Sequence, residues 1–196
     1  ASARDEKRSS GVRKVIASEM VTVDGFFAGP NAEIDWHNVD EEFNDYAIEL
    51  INSIDAILFG RVTYEGMASY WPTPEAITTD PIIANKMNTT AKVVFSKTLD
   101  KAGWENTTLV TGDAAEEVAK LKHLPGKDMV IYGSGKLVSS LTRAGLIDEF
   151  RLVVSPVVLG SGMSLFKGVT ESVKLRLTGS KVFQSGNVLL CYEPGR

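Results

Sequence analysis

The 196-residue chain has one cysteine and two histidines. A lone Cys191 excludes an internal disulfide framework and fits a reducing, cytoplasmic compartment. It stands in the apolar run Val188-Leu-Leu-Cys191, where packing is its expected role. His37 and His123 lie far apart, and with a single thiol they make no zinc ligand set. No apolar run approaches the roughly 20 residues that cross a bilayer. Residues 1–11 lack the hydrophobic stretch of a secretory signal and are expected to be a flexible leader before a single domain over residues 12–196. Positive charge is not in excess: 21 Lys and Arg face 25 Asp and Glu, a net charge of −4. Nothing there favours nucleic acid or an anionic membrane. Repeats, low-complexity tracts and interior linkers are missing too. No G-x-G-x-x-G follows the first apolar strand, and no acidic residue stands about 20 positions beyond it, which sets aside an ordinary Rossmann dehydrogenase.

What is present alternates between two periodicities. Val12 to Val23 reads as a first, buried strand that stops at Asp24-Gly25, before a loop through Gly29-Pro30-Asn31 and Ile34-Asp-Trp36. Asp40 to Ser53 has Phe43, Ala47, Leu50 and Ile54 at helical spacing, with acids at its start, as the helix dipole prefers. Ala56 to Phe59 is a short apolar strand ending in Gly60. Arg61 to Trp71 reads as a helix terminated by Pro72 and Pro74. Ile82 to Thr90 is polar and ambiguous. Strands follow at Lys92 to Phe95 and Thr107 to Thr111, then an amphipathic helix over Asp113 to Leu124. Met129 to Tyr132 is another strand, and Gly133 opens a segment with Leu137, Leu141 and Ala144 at helical spacing. Glu149 to Val158 reads as a strand in which Pro156 marks an edge or a bulge. Val173 to Val182 and Asn187 to Tyr192 make a closing antiparallel hairpin. Strands alternating with helices imply an α/β fold with a mostly parallel sheet covered on both faces.

In such sheets ligands bind beyond the carboxyl ends of the strands. Two strand-to-helix turns qualify here. Gly133-Ser-Gly-Lys-Leu-Val138 turns from a strand straight into a helix, leaving backbone N–H groups unpaired at the positive end of the helix dipole, where an anion of phosphate size fits. Alone, Gly133 and Gly135 need mean no more than a tight turn. Gly60-Arg-Val-Thr-Tyr64 is the second turn, with a glycine for close approach, a permanent charge on Arg61 and a hydroxyl on Thr63. Ser96-Lys97 lies at a third carboxyl end. Two glycine turns with two cations suit a dinucleotide carrying a 2′-phosphate.

These segments, with Ala144-Gly-Leu-Ile-Asp-Glu-Phe-Arg-Leu152, Pro156-Val-Val-Leu-Gly-Ser-Gly162 and Leu165-Phe166, resemble the dihydrofolate reductase-like superfamily. Within it the chain is most similar to the branch sharing the C-terminal reductase domain of the bifunctional riboflavin-biosynthesis deaminase–reductase, from about Val12 to Tyr192. The resemblance implies a three-layer α/β/α fold, NADPH as hydride donor and a homodimer. It implies that Gly60, Arg61 and Thr63 touch the cofactor phosphates and that Ser96 and Lys97 lie near the adenosine 2′-phosphate. Gly133, Ser134, Gly135, Lys136 and Leu137 would cradle the pyrophosphate, while Thr22 and Asp24-Gly25 mark where nicotinamide and substrate meet. Trp36 and the acids Asp40 and Glu41 stand where dihydrofolate reductases keep a tryptophan and the carboxylate that recognises the pterin. Helical phase favours Asp40 for that carboxylate, and spacing from Trp36 favours Glu41.

Two departures bear on the substrate. Riboflavin-pathway reductases carry a Glu just before the glycine turn and a Lys early in the first strand, where this chain has Tyr132 and Ser18. The deaminase half is absent from this sequence. The expectation is a stand-alone NADPH-dependent reductase acting on a pterin- or pyrimidine-like heterocycle. The alternative is a nucleotide-binding dimer that kept the fold without the chemistry.

Overall fold

The structure is a computed structural model that describes residues 11–195. Apart from Gly11, the expected leader lies outside the described residues. The chain begins with β1 (Val15–Thr22) and a short β2 (Phe26–Ala28), then α1 (Glu41–Ser53), β3 (Ile54–Gly60) and α2 (Arg61–Tyr70). Two short helices follow, α3 (Pro74–Thr79) and α4 (Pro81–Thr89), before β4 (Ala91–Phe95) and β5 (Thr107–Val110). Next come α5 (Ala114–Lys122), β6 (Asp128–Tyr132), α6 (Gly135–Arg143) and β7 (Glu149–Ser155). The two-residue β8 (Met163–Ser164), then β9 (Leu175–Val182) and β10 (Val188–Pro194), complete the order.

One eight-stranded sheet runs β5-β4-β3-β6-β1-β7-β10-β9. Its pairs are parallel from β5 to β7, and β10 alone runs against the others. The expected antiparallel hairpin is therefore present, with a bulge between Cys191 and Tyr192. The central strands carry unbroken apolar runs because both faces are covered. Ile57, Leu58 and Phe59, like Met129, Val130 and Ile131, are wholly buried. Val15, Ala17, Leu58 and Ile131 pack with Val118 of α5 and with Leu137 and Leu141 of α6. On the other face Ile16, Ile57, Phe59 and Val130 pack with Leu50 and Ile51 of α1, Tyr64 of α2 and Met87 of α4. The result is the three-layer α/β/α arrangement.

The structure departs from the sequence reading in three places. Pro74 does not merely end a helix; it starts α3 at a position that needs no N–H donor, with Thr73 as cap, and Pro81 likewise occupies the first position of α4, there without a side-chain cap. β2 and β8 form a separate two-stranded ribbon that the sequence reading did not include. β7 ends at Ser155, so Pro156 follows the strand instead of interrupting it.

No helix separates β4 from the parallel β5. That crossover is a loop held by Trp104, whose indole N–H donates to Asn88 Oδ1 at 2.9 Å and whose backbone N–H donates to Tyr64 Oη at 3.0 Å. Lys92 is buried beneath it, donating to the carbonyls of Asn88, Thr90 and Glu105 at 2.8–3.0 Å and lying 4.4 Å from the Trp104 ring centroid. Lys92→Met strands three carbonyls at once, and we expect it to cost about 3 kcal/mol in urea unfolding. A loss under about 1 kcal/mol contradicts that role.

Charged clamps hold the amino-terminal edge of the sheet. Arg13 pairs with Asp55 and donates to Lys127 O, and Lys122 pairs with Asp148 at 2.6 Å. Asp148 also accepts the Val15 N–H at 2.8 Å. The carboxyl edge is built differently.

Candidate active site

Three helices are capped at their N-termini by side chains: α1 by Asp40, α3 by Thr73 and α5 by Asp113. Neither α2, of ten residues, nor α6, of nine, has such a cap, and both start at the carboxyl edge of the sheet. Each therefore leaves first-turn N–H groups unpaired. The turns that launch them are locked together. Gly60 N–H donates to Ser134 Oγ at 2.9 Å, Ser134 N–H donates to Thr63 Oγ1 at 2.9 Å, and Ser134 Oγ–H donates to Tyr132 O at 3.0 Å. Within the lock, Ser134 adopts a left-handed conformation, φ 60°. The sequence therefore brings Gly60, Thr63, Gly133, Ser134 and Gly135 to one place.

The glycines differ in what demands them. Gly133 has φ +52°, and a Cβ there would sit 2.8 Å from Thr63 Oγ1. A Cβ on Gly135 would overlap the Phe27 ring of β2. Packing alone requires both. Gly60 has an ordinary φ of −79°, and a Cβ there would lie 3.6 Å from Ser134 Cβ, an ordinary contact. The fold does not need a glycine at position 60.

Two cations flank the lock. Arg61 is half-exposed and pairs with Glu65 at 2.8 Å, a surface pair of small worth. Gly60 is in register with Phe95, so Ser96-Lys97 leaves the sheet on the adjacent strand. Lys97 is exposed, while Ser96 Oγ accepts from the N–H groups of Thr98 and Leu99 at 3.1 and 3.0 Å. Lys136 is exposed in the first turn of α6 and Leu137 is buried behind it.

At the end of β1, Thr22 and Asp24 are occupied by protein partners. Thr22 Oγ1 donates to Asp24 Oδ1 at 2.6 Å and accepts from Phe26 N–H at 3.0 Å. Asp24 also accepts from Gly160 N–H at 2.7 Å, tying this end to the loop before β8. The Thr22 hydroxyl chiefly holds the Asp24 carboxyl below its ordinary range, with the Gly160 and Leu159 amides adding to it. These two residues fix the loops around the site.

Trp36, Asp40 and Glu41 are not joined to the glycine turns by any hydrogen bond among the described residues. Trp36 Nε1 donates to Glu33 O at 3.2 Å within its own loop. Asp40 is the α1 cap, accepting Phe43 N–H at 2.8 Å. Glu41 is exposed in the first turn, where it favours the helix dipole.

A set of polar residues that the sequence reading did not single out as a group crosses the sheet beneath α1. Tyr132, Ser18, Arg151 and Cys191 occupy one register line across β6, β1, β7 and β10. Tyr46 of α1 covers the line, its hydroxyl 3.1 Å from Ser18 Oγ, and Arg151 Nε donates to Glu149 Oε1 at 2.6 Å. Burial pushes the Tyr46 hydroxyl up to about 12 and raises Tyr132 as well, so both keep their protons at neutral pH. The available signal was Ser18-Glu19 inside the apolar first strand, since a polar pair in a central strand needs partners. A surface cavity of about 610 Å³ along the flank of α2, lined by Tyr64, Asn88 and Trp104, contains none of the expected site residues.

With this geometry the class of protein is defined: an α/β chain of the dihydrofolate reductase-like fold, with its candidate site at the carboxyl edge of the sheet. The chain belongs to the RibD C-terminal domain family, which matches residues 13–189. It is 36% identical over 183 residues to the uncharacterized protein YyaP of Bacillus subtilis (strain 168), covering 92% of this chain and 95% of that one. The uncharacterized YwjB of the same organism is 33% identical over 172 residues, covering 87% and 92%. Among solved structures, a putative riboflavin biosynthesis protein from Shewanella sp. PV-4 superposes with a TM-score of 0.73 at 22% identity, covering 93% of this chain and 99% of that one. Dihydrofolate reductase from Enterococcus faecalis, complexed with NADP(H), superposes with a TM-score of 0.63 at 17% identity, covering 93% and 97%. The Thermotoga maritima deaminase/reductase gives 0.66 at 16% identity, with 94% of this chain covering 57% of that one. These likenesses fix the fold.

Proposed function

We propose that the chain is an NADPH-dependent reductase that moves hydride to a C=N or C=O bond of a pterin- or pyrimidine-like heterocycle. The observation that carries this reading is the lock between two uncapped helix N-termini, with Arg61 and Lys97 at its rim. First-turn amides of α2 and α6 would take the cofactor phosphates, as the resemblance implies for residues 60–63 and 133–137. Arg61 and Lys97 would take the 2′-phosphate, with Ser96 holding the turn that presents Lys97. NADPH supplies the hydride when bound, so the protein has to orient it, exclude water and hold a proton. With Asp40 spent on the helix cap, the buried, protonated hydroxyls of Tyr132 and Tyr46, on the face beneath α1, are further candidates to hold that proton. Glu41 remains the free carboxylate at the start of α1, and Trp36 the aromatic side chain before it.

The second reading, a nucleotide-binding dimer without chemistry, is favoured by the same spent Asp40. Titration with NADPH and NADH, followed by assay of NADPH oxidation with dihydrofolate and with the pyrimidine intermediate of riboflavin synthesis, separates the readings. Binding with turnover supports the reductase; binding without turnover on any heterocycle supports the alternative.

The homodimer is proposed at β9. This edge strand of eight residues exposes Leu175, Leu177 and Val182, and its outer backbone groups are free to pair. A second copy of β9 running antiparallel would satisfy them. Leu175→Glu with Leu177→Glu is expected to give a monomer by light scattering, with the far-UV spectrum of the parent. A dimer that survives both charges contradicts this placement.

A further inference from the structure

Beneath the glycine turn lies a carboxyl group that the proposed reaction does not use. Glu19 of β1 is 3% exposed, and its Oε1 has no hydrogen-bond partner among the described residues. β6 ends opposite Ser18, so β1 runs on beside the turn, and the Gly133 backbone N–H faces the Glu19 carboxyl. Ala17 and Val21, on the same face of β1, and Leu152, its register partner on β7, belong to the apolar cluster that includes Leu137 of α6.

Among the described residues no counter-charge reaches it. From β6 and β7, Tyr132 and Arg151, in register with Ser18, and Glu149, in register with Ile16, lie on the opposite face. From α6, Lys136 is exposed, and Arg143 at the far end is bound to Gly168 O. β2 contributes only Phe26, Phe27 and Ala28, α2 presents Thr63 to the turn, and Asp24 is engaged at the end of β1.

We propose that Glu19 is a positioning residue for the nucleotide turn: neutral, it supports Gly133 and admits a diphosphate; ionised, it repels that anion, so cofactor binding takes up a proton. The inference rests on the reading of residues 133–137 as the diphosphate site. Burial is the main cause of a Glu19 pKa well above the ordinary glutamate range, only partly offset by the Gly133 amide. The sign follows. A bound anion favours the uncharged acid, so cofactor affinity is full below the Glu19 pKa and declines as pH rises through it. Folding obeys the same sign: the native state binds more protons than the unfolded one between the two pKa values, so the buried acid costs stability as pH rises.

The test compares wild-type protein with Glu19→Gln, which keeps the shape and cannot ionise. NADPH dissociation constants are measured from about pH 5 to about pH 9. The wild-type value is expected to climb toward tenfold per pH unit above the Glu19 pKa, relative to a flat E19Q value. The titration of the cofactor's own 2′-phosphate is common to both proteins and cancels. Parallel pH profiles overturn the inference and leave the cofactor reading intact. Absence of NADPH binding by either protein at every pH overturns the cofactor reading and the inference with it. Should E19Q fail to fold, calorimetry of NADH binding to wild type, in two buffers of different ionisation heat, decides. Net uptake of up to one proton at alkaline pH is expected, and none overturns the proposal.

Discussion

Gly133→Ala is expected to weaken NADPH binding at least about a hundredfold and to cost about 2–3 kcal/mol of stability. Two effects add. A left-handed backbone at φ +52° costs an L-residue about 1–2 kcal/mol. The new Cβ would also meet Thr63 at 2.8 and 2.9 Å, pushing away the hydroxyl that receives the Ser134 N–H. The two helix N-termini then lose their common alignment, and two or more charge-assisted hydrogen bonds at about 1.5–3 kcal/mol each account for a hundredfold in affinity. Gly60→Ala is the internal control. Its backbone is unstrained and its Cβ fits against Ser134, so stability is expected to stay within about 0.5 kcal/mol of the parent. Affinity should nonetheless drop, because what needs the space at Gly60 is the ligand. Urea unfolding and calorimetric titration on the same preparations read both quantities. A Gly60→Ala protein that binds NADPH like the parent removes this turn from the site.

Arg61→Ala combined with Lys97→Ala is expected to reduce the preference for NADPH over NADH by about a hundredfold. NADH itself should bind almost unchanged, since it lacks the group the two cations contact. Each charged contact to a phosphate is worth about 1.5–3 kcal/mol, and two of them leave little discrimination. Stability should barely move, because Lys97 is exposed and the Arg61–Glu65 pair lies at the surface. Dissociation constants for both nucleotides provide the readout. A preference that survives both substitutions places the 2′-phosphate elsewhere.

The parallel core was legible because its strands are apolar on both faces. Ile57-Leu-Phe59 and Met129-Val-Ile131 admit few other readings once glycine turns and amphipathic helices flank them. The turns at Gly60 and Gly133 could be read from the same strand-glycine-helix pattern. Their mutual lock could not, because it joins Thr63 to Ser134 across 71 positions. Proline misled where it mattered most: Pro74 was read as a helix terminator, yet it starts α3, where the missing N–H costs nothing. β2 and β8 are too short to carry a periodic signal. Asp40 shows the limit of helical phase. It precedes Phe43 by three positions, which suits a residue on the buried face and suits an N-cap equally well, and the structure has it as the cap. The polar pair Ser18-Glu19 stood out in the first strand, but only three-dimensional placement puts Glu19 under the turn.

The central claim is that the carboxyl edge of this sheet holds NADPH across the turns at Gly60 and Gly133. Calorimetric titration of the wild-type protein with NADPH and with NADH at one pH and ionic strength tests it most directly. Saturable binding of one NADPH per chain, tighter than NADH by about a hundredfold, is the predicted result. No heat of binding with either nucleotide at millimolar concentration would contradict it.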